Sequence, residues 1–259
     1  MIAKNPQSNS WYKIVFKELV YQECHSTEEE CPMRRMSICL LATVALSVFS
    51  TPLQAATLRV MNDASSPPSV STVKIVYTGE VNQEKIAALA SALDEINLKY
   101  KFAHDIYLYI SSPGGEVDSG NVGYQAIRSS VVPVTTINLS EVISAATMLY
   151  CAGQKRLVLD DTSFLLHAPT SWIEGEVAEN RIVNHQEISV RYRTELKTIY
   201  RSCTNLSDER IDKITYSEDT HLVADVEKAL SIGLATGTAK NVVPADATWY
   251  IYDGPPNKG

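Results

Sequence analysis

Two rhythms of apolar and polar residues take turns along this chain. Positions 73–77 (VKIVY) are a short β-rich run, closed by Thr78-Gly79. Across 82–98 the apolar residues Ile86, Leu89, Ala90, Leu93 and Ile96 return every three or four positions, which predicts a helix with one buried face. Positions 105–110 (DIYLYI) predict a buried strand, broken sharply by Ser111-Ser112-Pro113-Gly114-Gly115. A helix over 117–128, a strand over 134–139, a helix over 144–152 and short strands at 156–159 and 163–167 follow. The stretch from about 176 to 203 is long, polar and helical in pattern, and short helices are expected at 211–214 and 227–232. Strands alternating with helices predict an α/β fold with mostly parallel strands. No Pro/Gly/Ser-rich linker interrupts the chain after residue 56, so it reads as a single domain, a suitable size for one good core.

The first 56 residues follow neither rhythm. Met33-Arg34-Arg35 is basic, Met36 to Ser50 is almost wholly apolar and uncharged, and Thr51, Pro52, Leu53, Gln54, Ala55 and Ala56 close the run. A basic start, a short apolar core and small residues at the exit have the form of a secretory signal peptide, and the run is shorter than the ~20 residues that span a bilayer. Cleavage is expected after Ala55 or Ala56. The segment begins at Met33 rather than at the first residue, so residues 1–32, which include Glu28-Glu29-Glu30, are read as an extension outside the native start. The expected division is 1–32 extension, 33–56 leader and 57–259 catalytic domain, with a periplasmic or secreted product.

Composition narrows the function classes. A net charge of −7 with no basic cluster argues against nucleic acid or anionic lipid as the main partner. No Cys/His spacing suggests a metal, and no cofactor is expected. Removal of the leader leaves Cys151 and Cys203. Cys151 sits in an apolar stretch and is read as a buried core thiol, with pairing to Cys203 as the alternative in an oxidising compartment.

Three features carry candidate chemistry. Gly114-Gly115 lies where a strand leaves the sheet, and glycine there exposes backbone N–H groups to a ligand. Ser144 is placed at a helix start, where unpaired N–H groups suit a developing oxyanion. His167 closes a strand before Ala168-Pro169. Each alone has a plainer reading: a tight turn, an N-cap and a structural histidine.

In this order the segments resemble the Clp protease proteolytic subunit family, over roughly 72–236. YTGEVNQEKI (77–86) looks like that family's first strand-to-helix joint, DIYLYISSPGGEV (105–117) its glycine-rich turn, SAATMLYCAG (144–153) its nucleophile helix and SFLLHAP (163–169) its histidine strand. The resemblance implies a Clp/crotonase-type fold of repeated β-β-α units. It implies Ser144 as nucleophile, His167 as general base, and the Gly115 and Ala145 N–H groups as an oxyanion hole. Asp219 fits the acid best, with His221 in the family's aromatic place. A count back from Gly233 needs two extra residues near Asp225-Val226, so Glu218 and Asp225 are the alternatives. The resemblance also implies a homo-oligomeric ring joined through the helical region 176–203, where Ile182, Ile188, Tyr192, Leu196 and Tyr200 supply apolar positions.

The pattern departs from the family before the serine, where Ser140-Glu141-Val142-Ile143 replaces a small, Gly- and Ala-rich approach. Ala145-Ala146 follows Ser144 where the family often has Met-Gly, which leaves the backbone donor in place. An exported protein is also parted from cytosolic ATP, so the expected activity is an ATP-independent serine endopeptidase acting on peptides or unfolded segments, with no ATPase partner. Three other readings are open: a crotonase-type enzyme of acyl-coenzyme A, a Ser-Lys peptidase using Lys155, and a catalytically inactive peptide-binding scaffold.

Overall fold

A computed structural model describes residues 54–61, 70–170 and 175–254, all within one compact unit spanning Pro52–Gly259. The extension (1–32) and residues 33–53 of the expected leader lie outside the described residues. In chain order the elements are β1 (Gln54–Met61), β2 (Thr72–Thr78), α1 (Gln83–Lys99), β3 (Asp105–Ser112), α2 (Val117–Arg128), β4 (Val134–Ile143), α3 (Ala146–Cys151), β5 (Lys155–Val158), β6 (Ser163–Leu166), α4 (Glu179–Cys203), α5 (Asp208–Tyr216), a 3-10 turn (Glu218–Thr220), β7 (Leu222–Ala224), α6 (Val226–Ser231), β8 (Gly237–Thr238) and β9 (Ala247–Gly254).

The described strands form one nine-stranded sheet in the order β1-β9-β2-β3-β4-β5-β8, with β6 paired to β4 and β7 paired to β6. Only β1·β9 and β6·β7 are antiparallel. The architecture is therefore the expected α/β fold with a mostly parallel sheet in a single domain. Parallel strands are covered on both faces, which is why Ile75, Leu108 and Ile110 are fully buried. Against them pack Ile86, Leu89, Leu93 and Ile96 of α1 and Met148 and Leu149 of α3. Each such side chain contributes roughly 1.5–3 kcal/mol by leaving water.

Side-chain caps mark the starts of α1, α5 and α6. Asn82 accepts from the Lys85 N–H at 2.9 Å, Ser207 from the Arg210 N–H at 3.3 Å and Asp225 from the Lys228 N–H at 2.8 Å.

β9 was not anticipated. It inserts between β1 and β2, parallel to β2 and antiparallel to β1, and buries Trp249 and Ile251. Gln54, Ala55 and Ala56, the end of the expected leader, pair with Gly254, Asp253 and Tyr252; cleavage after Ala56 leaves Thr57 to Met61 in the pairing.

The reading of Cys151 as a free core thiol is corrected. Cys151 and Cys203 form a disulfide, with Cα atoms 5.5 Å apart. It ties the end of α3 to the end of α4, and both residues are buried.

Candidate active site

β4 sets the centre of the site. Its first half pairs with β5 (Thr135 to Asn138) and its last three residues pair with β6 (Glu141 to Ile143). Asn138 holds the changeover: its amide donates to the Ser163 carbonyl at 2.8 Å, and its oxygen accepts from the Ser140 N–H at 3.1 Å. The bulky approach 140–143 is thus strand, with Val142 buried between Ser112 and Phe164.

Ser144 does not begin the next helix, as the sequence suggests. It is an elbow between β4 and α3 with φ of +55°, one of two non-glycine residues with positive φ among those described. A non-glycine residue held there is strained, which turns the side chain out of the regular strand direction. Its backbone is fixed on both sides. The Ser144 N–H donates to the Leu165 carbonyl at 2.9 Å, and its carbonyl accepts from the Thr147 N–H at 2.9 Å and from Thr147 Oγ1 at 2.6 Å. Because that hydroxyl has spent its proton on Ser144, the Tyr200 hydroxyl 2.9 Å away is the donor to it. Complete burial raises the Tyr200 pKa to about 12, so the phenol stays protonated.

The glycine turn lies directly against the elbow. Gly114 has φ of +90°, and a Cβ there would lie 2.6 Å from Ser144 Cβ and 2.7 Å from the Ile143 carbonyl. Val81 grips the residues on either side of Gly115. Its N–H donates to the Gly114 carbonyl at 2.7 Å, and its carbonyl accepts from Glu116 at 2.9 Å. Among the described residues, the Gly115 and Ala145 N–H groups have no hydrogen-bond acceptor. Two backbone donors flanking Ser144 are therefore available to an incoming oxygen.

His167 follows β6, whose Leu165 is in register with Ile143 of β4. Ser144 and His167 consequently leave the same end of two hydrogen-bonded strands. His167 Nδ1 lies 2.7 Å from Glu218 Oε1, with the two side chains 16% and 53% exposed. Glu218 opens the 3-10 turn that feeds β7, and β7 pairs antiparallel with β6 (Leu166 against Leu222), which carries the turn to the histidine.

The favoured acid, Asp219, is not the residue that meets His167. Its N–H donates to Ser217 Oγ at 3.2 Å, and its carboxylate takes the Ser217 hydroxyl at 3.5 Å. Asp225 caps α6. The motif fit preferred Asp219, with Glu218 as an alternative, because two acids stand side by side; the residue in contact with His167 is Glu218. Lys155, the lysine of the Ser-Lys reading, pairs with Thr135 at the opposite end of β4, nine positions from Ser144 and on the order of 30 Å along the strand. Among the described residues no group of three or more His, Cys, Asp or Glu side chains could hold a metal ion, and no helix is long and apolar enough to cross a membrane.

The chain matches the Clp protease family over residues 68–241. A relative described as ATP-dependent Clp protease proteolytic subunit 2 from Treponema denticola is 28% identical over 185 residues, covering 70% of this chain and 88% of the relative. One of the same description from Pseudomonas aeruginosa is 33% identical over 164 residues, covering 62% of this chain and 78% of the relative. Among solved structures, ClpP1 from Listeria monocytogenes has the same fold, with a TM-score of 0.53 at 22% identity over 65% of this chain and 92% of that one.

Proposed function

Because this chain belongs to the Clp protease family and is a serine peptidase, we propose that it works through Ser144, His167 and Glu218, outside the cytoplasm. The observation that carries this reading is the 2.7 Å contact from His167 Nδ1 to Glu218 Oε1, one strand over from the strained Ser144 elbow. An ionised carboxylate only accepts, so it holds the proton on Nδ1 and leaves the Nε2 lone pair as the base. Nε2 takes the Ser144 hydroxyl proton as Oγ attacks the peptide carbonyl. The Gly115 and Ala145 N–H groups receive the oxyanion, a contribution of about 3–4 kcal/mol per donor. The imidazolium then protonates the leaving amine, the C–N bond breaks, and water resolves the acyl-enzyme by the same relay in reverse. Glu218 stabilises the imidazolium in both halves, and its presence counts against an inactive scaffold.

The substrates in this reading are peptides and unfolded segments. The leader-like run from Met33 supports an exported enzyme that works without ATP or an ATPase partner. The N-terminal half of α4 supports a homo-oligomeric ring: Ile182, Val183, Ile188 and Val190 are 39–52% exposed, while Leu196, Ile199 and Tyr200 pack back on the domain. The decisive experiment is fluorophosphonate labelling and peptide turnover with wild type and Ser144→Ala. Labelling that persists in the variant overturns the site. N-terminal sequencing of the secreted protein tests the export reading, which fails if residues 1–32 are present.

A further inference from the structure

We propose that Lys85 and Asp253 are a positioning pair for the oxyanion turn, through which the C-terminal strand β9 sets catalysis; this rests on the peptidase reading of Ser144 above. Lys85 is the one fully buried lysine among the described residues, on the first turn of α1. Its ammonium lies 2.7 Å from Asp253 Oδ1, donates to the Thr78 carbonyl at 3.2 Å and sits 5.6 Å from the centre of the Tyr77 ring. A buried ammonium is tolerated only with a counter-charge and filled hydrogen bonds. Asp253 supplies that charge from β9, beyond the stretch matched by the family. Tyr77 stands opposite Ile251 in the parallel β2·β9 register, so Gly79 falls beside Asp253. Gly79, at φ +83°, has no room for a side chain: a Cβ would lie 2.1 Å from Asp253 Oδ2 and 2.7 Å from Lys85 Nζ.

The pair closes on the joint between β2 and α1, and that joint holds the oxyanion turn. Lys85 fixes the Thr78 carbonyl, the Gly79 N–H donates to Ser111 at 3.0 Å, and the Tyr77 hydroxyl donates to the Glu80 carbonyl at 3.0 Å. The next residue, Val81, grips Gly114 and Glu116 on either side of Gly115. The Gly115 peptide therefore points where Val81 directs it, and Val81 sits where Lys85 anchors 78–80. Lys85 touches no reacting atom; it acts through Val81.

The test compares wild type, Asp253→Asn, and the double variant Lys85→Met/Asp253→Asn, with Ser144→Ala as blank. Asp253→Asn strands a buried charge and lowers the melting temperature. The double variant removes that charge, so its melting temperature returns close to wild type, but the Thr78 anchor stays lost. The expected result is a kcat at least about tenfold below wild type in the double variant, with KM within about twofold, because the oxyanion donors act in the transition state. Hydrogen exchange over 113–117 also quickens in the double variant. Recovery of kcat in step with melting temperature, or unchanged exchange over 113–117, overturns the proposal. If wild type shows no Ser144-dependent turnover while exchange over 113–117 still quickens in the double variant, the peptidase reading is refuted and the mechanical link from Lys85 to the turn stays in place.

Discussion

Replacing Glu218 by Gln tests the assignment of the triad acid most directly. The substitution keeps an amide oxygen able to accept the His167 Nδ1–H, so the tautomer and the 2.7 Å contact survive while the charge is lost. What disappears is the attraction between the carboxylate and the imidazolium formed during attack. With charge centres about 4 Å apart, that attraction is about 4 kcal/mol at the effective dielectric of a protein surface site and about 1 kcal/mol in water. Glu218 is 53% exposed, so screening pulls the value toward the lower end. A figure of about 2 kcal/mol corresponds to a kcat roughly 30-fold lower. KM stays within about twofold, since the imidazolium is absent from the ground-state complex. Asp219→Asn, one residue on, should leave kcat within about twofold. The assay is steady-state hydrolysis of a fluorogenic peptide by both variants and wild type. If Asp219→Asn loses as much as Glu218→Gln or more, the acid is misassigned.

Gly114→Ala should reduce kcat and fluorophosphonate labelling at least about 100-fold, because its Cβ would collide with Ser144 Cβ and the Ile143 carbonyl and disturb both oxyanion donors; labelling at the wild-type rate refutes this. Cys151→Ala/Cys203→Ala opens a loop with a sequence separation of 52, for which chain entropy gives about 4 kcal/mol, so the oxidised wild type should melt on the order of 10 °C higher by calorimetry; equal melting refutes it. Ile182→Asp/Ile188→Asp should shift the light-scattering mass from a ring to smaller species with the fold intact by circular dichroism, and a wild-type monomer refutes the ring. Charge reversal at Arg191 is a poorer probe, because Arg191 pairs with Asp118 and Glu195 of its own chain.

The elements legible in the sequence were those with local signals. The α2 span was readable because a glycine turn precedes it, although its buried face is Ser119, Gly120, Gly123 and Ile127 rather than an apolar stripe. Ser144 and His167 stood out because each belongs to a short contiguous motif. The positive φ of Ser144 was not legible, since it follows from the β4·β6 register and the Leu165 carbonyl, both long-range. The choice between Glu218 and Asp219 was not legible either. Ser217 draws the shorter Asp219 into the 3-10 turn, while the longer side chain of Glu218 reaches His167. Pairing of Cys151 with Cys203 required the packing of α3 against α4, which no local pattern encodes. β9 was missed although ATWYIYDG carries β-forming residues, because its partners lie at the far end of the chain.

The two halves of the site rest on different parts of the sheet. In the proposed mechanism, base and acid ride on β6 and on the turn that leads into β7, where a slip of one residue would turn His167 to the other face. The oxyanion donor at Gly115 rides instead on a chain of contacts through Val81, Lys85 and Asp253 into β9, on the other side of β3. Ser144, with Gly114 against it and Leu165 holding its N–H, touches both halves. A perturbation in β9 therefore reaches transition-state stabilisation without passing through the His167–Glu218 pair. It should lower kcat while leaving the pH dependence of kcat/KM in place, whereas Glu218→Gln should alter both. The separation follows from topology: β2, β3 and β4 stand between the strand that carries Asp253 and the strand that leads to His167.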